Sequence, residues 1–380
     1  MTNAIFRASF RLELADFKLA PEFELDDEMA VLFGASGAGK SLTLRTLAGL
    51  VKPDEGSIHL NGQTIFDSEQ EIDLAPQDRR IGYVPQHYAL FPHQSIAKNI
   101  AFGLHNVSKP EREARVAELL SRMRLEQLAD RRPGEVSGGQ QQRTALARAL
   151  ARRPNMLLMD EPFAAVEEDL RAHLRQELLK IQRDFAIPVL LVTHSRAEAY
   201  ALAERLIVLS EGQVVQSGNR DDVFRRPRTP TVARLMGMTN ILHATVIDSS
   251  ASELTADWGA HRLTIASLNS RPSGDPVTLG VRPEEIHIAP NGVDSGLSNH
   301  FLARLVKDEP QGADHLLQFE ANNQLLDVRV SHPAFMRLEL ATDQERTLAL
   351  DPEAIHLLPG PAQTMLALDP EAIHVVSGPA

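Results

Sequence analysis

Eight residues, GASGAGKS at positions 34–41, follow directly on the apolar run MAVLF and precede the amphipathic stretch SLTLRTLAGL. That succession demands a strand, a glycine turn and a helix, with the turn at the strand's C-terminal end. Gly34, Gly39, Lys40 and Ser41 have the G-x-x-x-x-G-K-[ST] spacing of a loop that cradles phosphates. Glycines let successive backbone N–H groups converge on an anion, and the helix that follows adds the positive end of its dipole. Gly34, Ala35, Ser36, Gly37, Ala38, Gly39, Lys40, Ser41 and Leu42 are therefore the expected phosphate-binding set. Lys40 would reach the β- and γ-phosphates of a nucleoside triphosphate, and the Ser41 hydroxyl would ligate Mg²⁺.

The surrounding pattern agrees with such a loop. Residues 1–236 alternate short apolar runs with helical periodicity, the mark of an α/β fold around a mostly parallel sheet. SFRLEL, MAVLFG, SIHLNG, RRIGYV, NMLLMD and PVLLVTH read as strands, and MLLMD and VLLVTH are apolar enough to be covered on both faces. PEREARVAELLSRM, SGGQQQRTALARALARR, EEDLRAHLRQELLKIQRDF and RAEAYALAERL read as helices, and LIVLSEGQVVQSG as a hairpin turning at Glu211-Gly212.

From Asn240 the character changes to short alternating stretches separated by Gly, Pro, Asn and Asp, which predicts an all-β, OB-like domain over residues 241–360. This part repeats itself: NILHATV (240–246) resembles NHFLARL (299–305), and LGVRPEEIH (279–287) resembles LALDPEAIH (348–356). Two copies of one small β unit are expected. LALDPEAIHVVSGPA (366–380) nearly copies 348–362 at too short an offset for a further folded unit, and reads as a tail duplication over 361–380.

Composition narrows the partners. A formal net charge of −12 and an aromatic content of 5% argue against a surface that tracks or stacks on nucleic acid. With no cysteine there are neither disulfides nor thiolate metal sites. The N-terminus lacks a basic-then-apolar leader pattern, and no apolar run reaches the ~18 residues of a membrane span. A soluble, cytoplasmic chain is expected.

Four further stretches carry chemistry. MLLMDEP ends an apolar strand with Asp160 and Glu161, where an open α/β sheet binds ligands. Asp160 would hold Mg²⁺ through water, and Glu161 would orient or deprotonate an attacking water. VTH puts His194 at the next strand end, as a structural histidine or as a donor to charge developing in the transition state. YVPQ puts Gln86 at a third, as an exposed loop residue or as a ligand of Mg²⁺ that also positions water. VSGGQQQR (136–143) opens a second helix with a glycine pair, a second anion-binding N-terminus. One chain needs only one such site, whereas two chains arranged head to tail would each cap the other's phosphates.

GASGAGKS, YVPQ, VSGGQ, MLLMDEP and VTH, in this order, resemble the ATPase subunit of an ATP-binding-cassette (ABC) transporter across residues 1–236. The resemblance implies a homodimer enclosing two ATP molecules, with Ser137, Gly138, Gly139 and Gln140 acting on the partner's nucleotide. Glu161 would be the general base, His194 the switch and Gln86 the sensor facing integral membrane permease subunits. Mg²⁺ would rest on Ser41, Gln86 and Asp160. Phe17 would stack on adenine, with Phe10 and Phe23 nearby as alternatives. A helical subdomain would span about residues 87–136. The chain departs from the family at Ala164-Ala165-Val166-Glu167, where Ser-x-Leu-Asp is usual, which questions coupling between the two ATP sites. It departs also at Val136 for Leu and at Ser195 for Asp.

HYALFPHQSIAKNIAFGL is similar to the importer branch, and LGVRPEEI to its TOBE/MOP-like accessory domain. GQTIFDSEQEIDLAPQDRRIGYV and the doubled β unit resemble the molybdate/sulfate-type enzymes. The resemblance implies a peripheral subunit on the cytoplasmic face of the inner membrane, working with a solute-binding protein in oxyanion uptake. Sulfate, iron(III), polyamine and sugar importers are the alternatives. The Ser-Ala-Arg-Asn motif of molybdate domains is replaced by GMTN and GLSN. An oxyanion on the accessory domain would then draw on donors around Thr239-Asn240 and Ser298-Asn299. ABC ATPases of DNA repair fit less well, since no long coiled coil separates Lys40 from Ser137. Those of translation usually carry two cassettes, and this chain has one.

Overall fold

A computed structural model describes residues 4–164, 166, 168–267, 270–289 and 298–359. The readings that concern Ala165, Glu167 and the tail duplication lie outside the described residues. The chain divides into two compact units, Met1–Val223 and Phe224–Ala380. The boundary falls earlier than 236 because the segment ahead of the β-rich domain packs on it. The Arg282 guanidinium donates to Phe224 O and Met236 O, both at 2.6 Å, and Ala233, Met238 and Ile241 pack with Leu358.

The first unit has two sheets. In one, the order is Gln213–Asn219, Arg205–Ser210, Met29–Phe33, Val189–Thr193, Met156–Asp160, Ile81–Val84, parallel throughout except for the antiparallel Gln213–Asn219 edge. Every residue of Met29–Phe33, Met156–Asp160 and Val189–Thr193 is buried, as their continuous apolar sequence requires. SFRLEL and SIHLNG belong instead to a second, antiparallel sheet, as parts of strands Phe6–Leu14 and Glu55–Leu60. The alternation of Phe6–Leu14 suits it to one covered face: Phe6, Ala8, Phe10 and Leu12 meet Ala30, Leu32, Leu44, Leu47 and Leu190 in a common core. The helical region holds Ile96–Ala101 and Lys109–Arg122. The helix expected over 196–206 stops at Leu202, because Arg205 already starts a strand pairing with Ala30. The hairpin turns at Glu211-Gly212, with positive φ of 49° and 77°, the conformation that joins two strands in two residues.

The second unit consists of two five-stranded antiparallel sheets with matching order. One runs His261–Ala266, Glu253–Trp258, Asn240–Ser249, Pro276–Val281, His356–Leu358. The other runs Gln324–Ser331, Asp314–Ala321, Asn299–Gln311, Glu345–Leu350, Ile286–Ile288. Even the register shifts correspond, at Val246/Asp248 and Leu305/Lys307. The repeat seen in the sequence is thus a repeat of structure, with one addition. After Pro283–Glu285 and Pro352–Ala354 each copy sends its last short strand into the other copy's sheet.

Asn240 and Asn299 complete this exchange. Asn240 Nδ2 donates to Asp327 O at 2.8 Å while its Oδ1 accepts from Asp327 N at 2.7 Å. Asn299 does the same to Thr264, at 2.9 Å and 2.6 Å. Each amide clamps the third strand of the other copy, and both are buried. Of the donors around Thr239-Asn240 and Ser298-Asn299, the Asn240 and Asn299 side-chain amides are therefore committed to backbone pairing. Among the described residues, no helix is long and apolar enough to cross a membrane.

Candidate functional site

The ends of four parallel strands bring the expected residues to one place. Strand Met29–Phe33 runs into Gly34, where a Cβ would stand 2.2 Å from Leu209 O, so only glycine allows the approach. Ala35, Ser36 and Gly37 form an exposed turn, Ala38 is buried, and Gly39 at φ 102° caps the helix Lys40–Leu47. Thr43 Oγ1 donates back to Gly39 O at 2.9 Å. Leu42, half-buried, packs its side chain on the core and anchors the helix.

Lys40 folds back over the turn and donates to Gly34 O at 2.9 Å and Ala35 O at 2.8 Å. Burial lowers its pKa, against the raising influence of Glu161 and Asp160. Ser41 Oγ donates to Asp160 Oδ1 at 2.8 Å. Burial raises the Asp160 pKa and the Glu161 charge adds to it, while Ser41, Lys40 and the Tyr83 hydroxyl oppose the rise. A hydroxyl beside a carboxylate is the hard oxygen pair that Mg²⁺ takes alongside phosphates and water, so these residues fit that ion.

Glu161, one residue past the strand, has φ 43°, a left-handed conformation that is strained without glycine. Its N–H donates to Val192 O at 3.0 Å. Its carboxylate is held at both oxygens, 3.0 Å from His194 Nδ1 and 3.4 Å from Gln86 Nε2. His194 itself is well exposed. Its loop is tied by Thr193 Oγ1, which donates to Glu198 and accepts from Ser195 N at 3.0 Å. Ser195, the departure from the family's Asp, caps helix Arg196–Leu202 by accepting from Glu198 N.

Ser137, Gly138, Gly139 and Gln140 stand apart from this cluster in their bonding. Ser137 Oγ accepts from Gln140 N and Gln140 Oε1 accepts from Ser137 N at 2.9 Å, a capping box that starts helix Gly138–Leu150. Ser137 and Gly138 are exposed. Of the three candidate phenylalanines, Phe10 and Phe23 lie in the core. Phe17 is half-buried, and its Cζ would stand 3.0 Å from a Cβ on Gly39, which puts its ring against the phosphate loop.

Two tyrosine contacts and one helix cap were not foreseen. The Tyr83 hydroxyl faces Asp160, and its pKa is pushed up to about 12, by burial first and the Asp160 charge second. Tyr88 donates to Pro162 O at 3.0 Å, tying the Gln86 loop to the segment after Glu161. Nothing local to YVPQHY announces either. The Ser195–Glu198 cap was legible as S-x-x-E before an apolar helix face.

The ABC transporter family profile matches residues 23–164, and a TOBE domain profile matches 279–358. A spermidine/putrescine import ATP-binding protein of Ruegeria pomeroyi is 41% identical over 274 residues, 72% of each chain. An Fe(3+) ions import ATP-binding protein of Pectobacterium atrosepticum is 39% identical over 331 residues, 86% of this chain and 91% of its own. A molybdate/tungstate import ATP-binding protein of Pyrococcus horikoshii is 34% identical over 355 residues, 92% of this chain and 99% of its own.

Proposed function

This chain belongs to the ABC transporter family as an ATP-hydrolysing import subunit, and from that premise we propose a role for each site residue and a cargo. The observation that carries the reading is the position of Glu161, held between His194 and Gln86 while Lys40, Ser41 and Asp160 gather beside it.

Glu161 acts as general base toward the water that attacks the γ-phosphate. His194 orients that carboxylate through Oε1 and faces charge that develops on the phosphoryl oxygens. Gln86 orients it through Oε2 and carries the state of the site toward the permease subunits. Lys40 exchanges its two loop carbonyls for phosphate oxygens, a contact between opposite charges in place of a contact with dipoles. Ser41 and Asp160 would hold Mg²⁺, with Gln86 reaching it from its place on Glu161, and the ion when bound neutralises charge on the phosphates. Phe17 stacks on the adenine.

Two chains associate head to tail, and Ser137, Gly138, Gly139 and Gln140 of each close over the other's phosphates. What supports this is that the helix start, with Ser137 and Gly138 exposed, bonds only within its own helix among the described residues and leaves glycine N–H groups for an anion. The dimer docks on membrane permease subunits at the cytoplasmic face of the inner membrane, and a solute-binding protein delivers the cargo.

The cargo we propose is molybdate or tungstate. Identity in the cassette reflects shared ATP chemistry, so the accessory domain is the more informative part for the branch. The molybdate/tungstate relative aligns over 92% of this chain, whereas the polyamine relative aligns over 72%. The competing reading is a polyamine, favoured by the higher 41% identity of that shorter match. Reconstitution with the cognate permease and binding protein tests both. Molybdate-loaded binding protein stimulates ATP hydrolysis, and stimulation by spermidine instead would reassign the cargo.

A further inference from the structure

Three parts of the ATP site meet on a hairpin turn that contributes no side chain to it. Arg205–Ser210 and Gln213–Asn219 join through Glu211-Gly212, both in left-handed conformation. Gly212 N–H donates to Ala38 O of the phosphate loop at 3.1 Å. Gly212 O accepts from Ala20 N at 2.8 Å, just past the strand Phe17–Leu19 that carries the aromatic ring. A Cβ on Gly212 would stand 2.0 Å from Lys18 O and 3.1 Å from Leu19 Cα. On its other side the same strand presses on the loop, with Leu19 Cδ1 2.9 Å and Phe17 Cζ 3.0 Å from a Cβ on Gly39. Leu209, three residues before Gly212 on the hairpin strand, approaches Gly34 with its carbonyl oxygen, 2.2 Å from a Cβ there.

We propose that Gly212 is a positioning residue for ATP, setting the strand of Phe17 at the height above the phosphate loop that lets one nucleotide meet both. The contact is between backbones: Lys18 offers a carbonyl, which no rotamer change can move, so any Cβ at 212 pushes the strand away from the loop. The two hydrogen bonds of Gly212 then hold the distance from either side, one to each element. Glycine is needed at 212 twice over, for its φ of 77° and for that contact. The inference rests on the reading of Phe17 as the adenine contact.

The test uses the full chain with Gly212→Ala, with Ala20→Pro, which replaces the donor to Gly212 O by a ring Cδ pressed against that oxygen, and with Phe17→Ala. Circular dichroism and thermal melting establish that each variant is folded. ATP affinity falls about tenfold in the first two variants, as expected for a displaced base–aromatic stack. Inorganic tripolyphosphate, which has no base, binds all variants as it binds the parent. The turnover number at saturating ATP stays within about twofold while KM rises, since only ground-state binding is lost. Phe17→Ala weakens ATP alone, and adding Gly212→Ala to it costs nothing more. Should Gly212→Ala not fold, Ala20→Pro and its double variant with Phe17→Ala decide the matter. Equal losses for ATP and tripolyphosphate, or additive effects with Phe17→Ala, overturn the inference. If Phe17→Ala weakens ATP while the other variants do not, this inference fails and the reading of Phe17 stands. If Phe17→Ala leaves ATP affinity unchanged, the base lies elsewhere and both fail.

Discussion

Glu161 Oε1 lies 3.0 Å from His194 Nδ1, and the two residues follow neighbouring parallel strands, Met156–Asp160 and Val189–Thr193. The left-handed turn at Glu161 breaks the strand's alternation and brings its carboxylate to the histidine. A conformation strained by about 1–2 kcal/mol is held by the hydrogen bond from Glu161 N to Val192 O and by the buried Pro162 and Phe163 that follow. Backbone strain at a carboxylate that two side chains orient is consistent with a catalytic position.

Glu161→Gln keeps size and one acceptor oxygen for the orienting contacts while removing the base. Hydrolysis falls about 10²–10⁴-fold, the usual contribution of a general base. ATP still binds, and gel filtration with MgATP finds an accumulated dimer. Near-parental turnover would remove Glu161 from the role of base.

Asp160→Asn is expected to raise thermal stability of the nucleotide-free protein at neutral pH and to abolish Mg²⁺-dependent hydrolysis. The folded chain holds the Asp160 proton more tightly than an unfolded chain does, because burial raises its pKa. Stability contributed by this group is present below the ordinary aspartate range and falls as pH rises through the raised value. The asparagine has no such titration and still accepts from Ser41. Melting curves across acid and neutral pH therefore separate the two proteins increasingly as pH rises through that window.

Ser137→Arg abolishes hydrolysis with little change in ATP affinity of the monomer, since the Ser137 and Gln140 side chains each bond the other's backbone N–H in their own chain. Lys40→Ala removes the phosphate-loop cation. Mixing the two restores activity above the sum of the separate variants, because one complete site forms per heterodimer. Mixtures that never exceed that sum would contradict the head-to-tail arrangement.

Asn240→Ala or Asn299→Ala loosens the accessory domain by about 1–3 kcal/mol, leaving buried backbone groups of Asp327 or Thr264 without partners. Trp258, the chain's one tryptophan, is buried in that domain and stacks edge-on to Phe301 at 5.4 Å. Its fluorescence thus reports this domain alone, and its urea midpoint shifts down in both variants. Equal shifts are expected, since the two amides occupy equivalent positions in the two copies.

Features set by local spacing were legible in the residues alone. GASGAGKS dictates its turn because glycines at 37 and 39 adopt φ values that other residues rarely reach. The continuous apolar runs ending in Asp160 and Thr193 dictate strands buried on both faces, and the Glu211-Gly212 pair dictates its hairpin. The doubling of the β unit was visible as two pairs of similar segments.

What only the tertiary structure decided concerns pairs distant in sequence. Phe10, Phe17 and Phe23 are alike in the sequence, and only sheet register buries the first and third while leaving Phe17 against Gly39. Asn240 and Asn299 read as donors at loop ends, yet the crossing of each copy's last strand into the other sheet sets them against Asp327 and Thr264. Tyr83 meets Asp160 because two strands joined by a long connection lie side by side. Local spacing sets the backbone conformation of a few neighbouring residues. Which side chains then meet depends on strand order and register, and these follow from burying every apolar face at once.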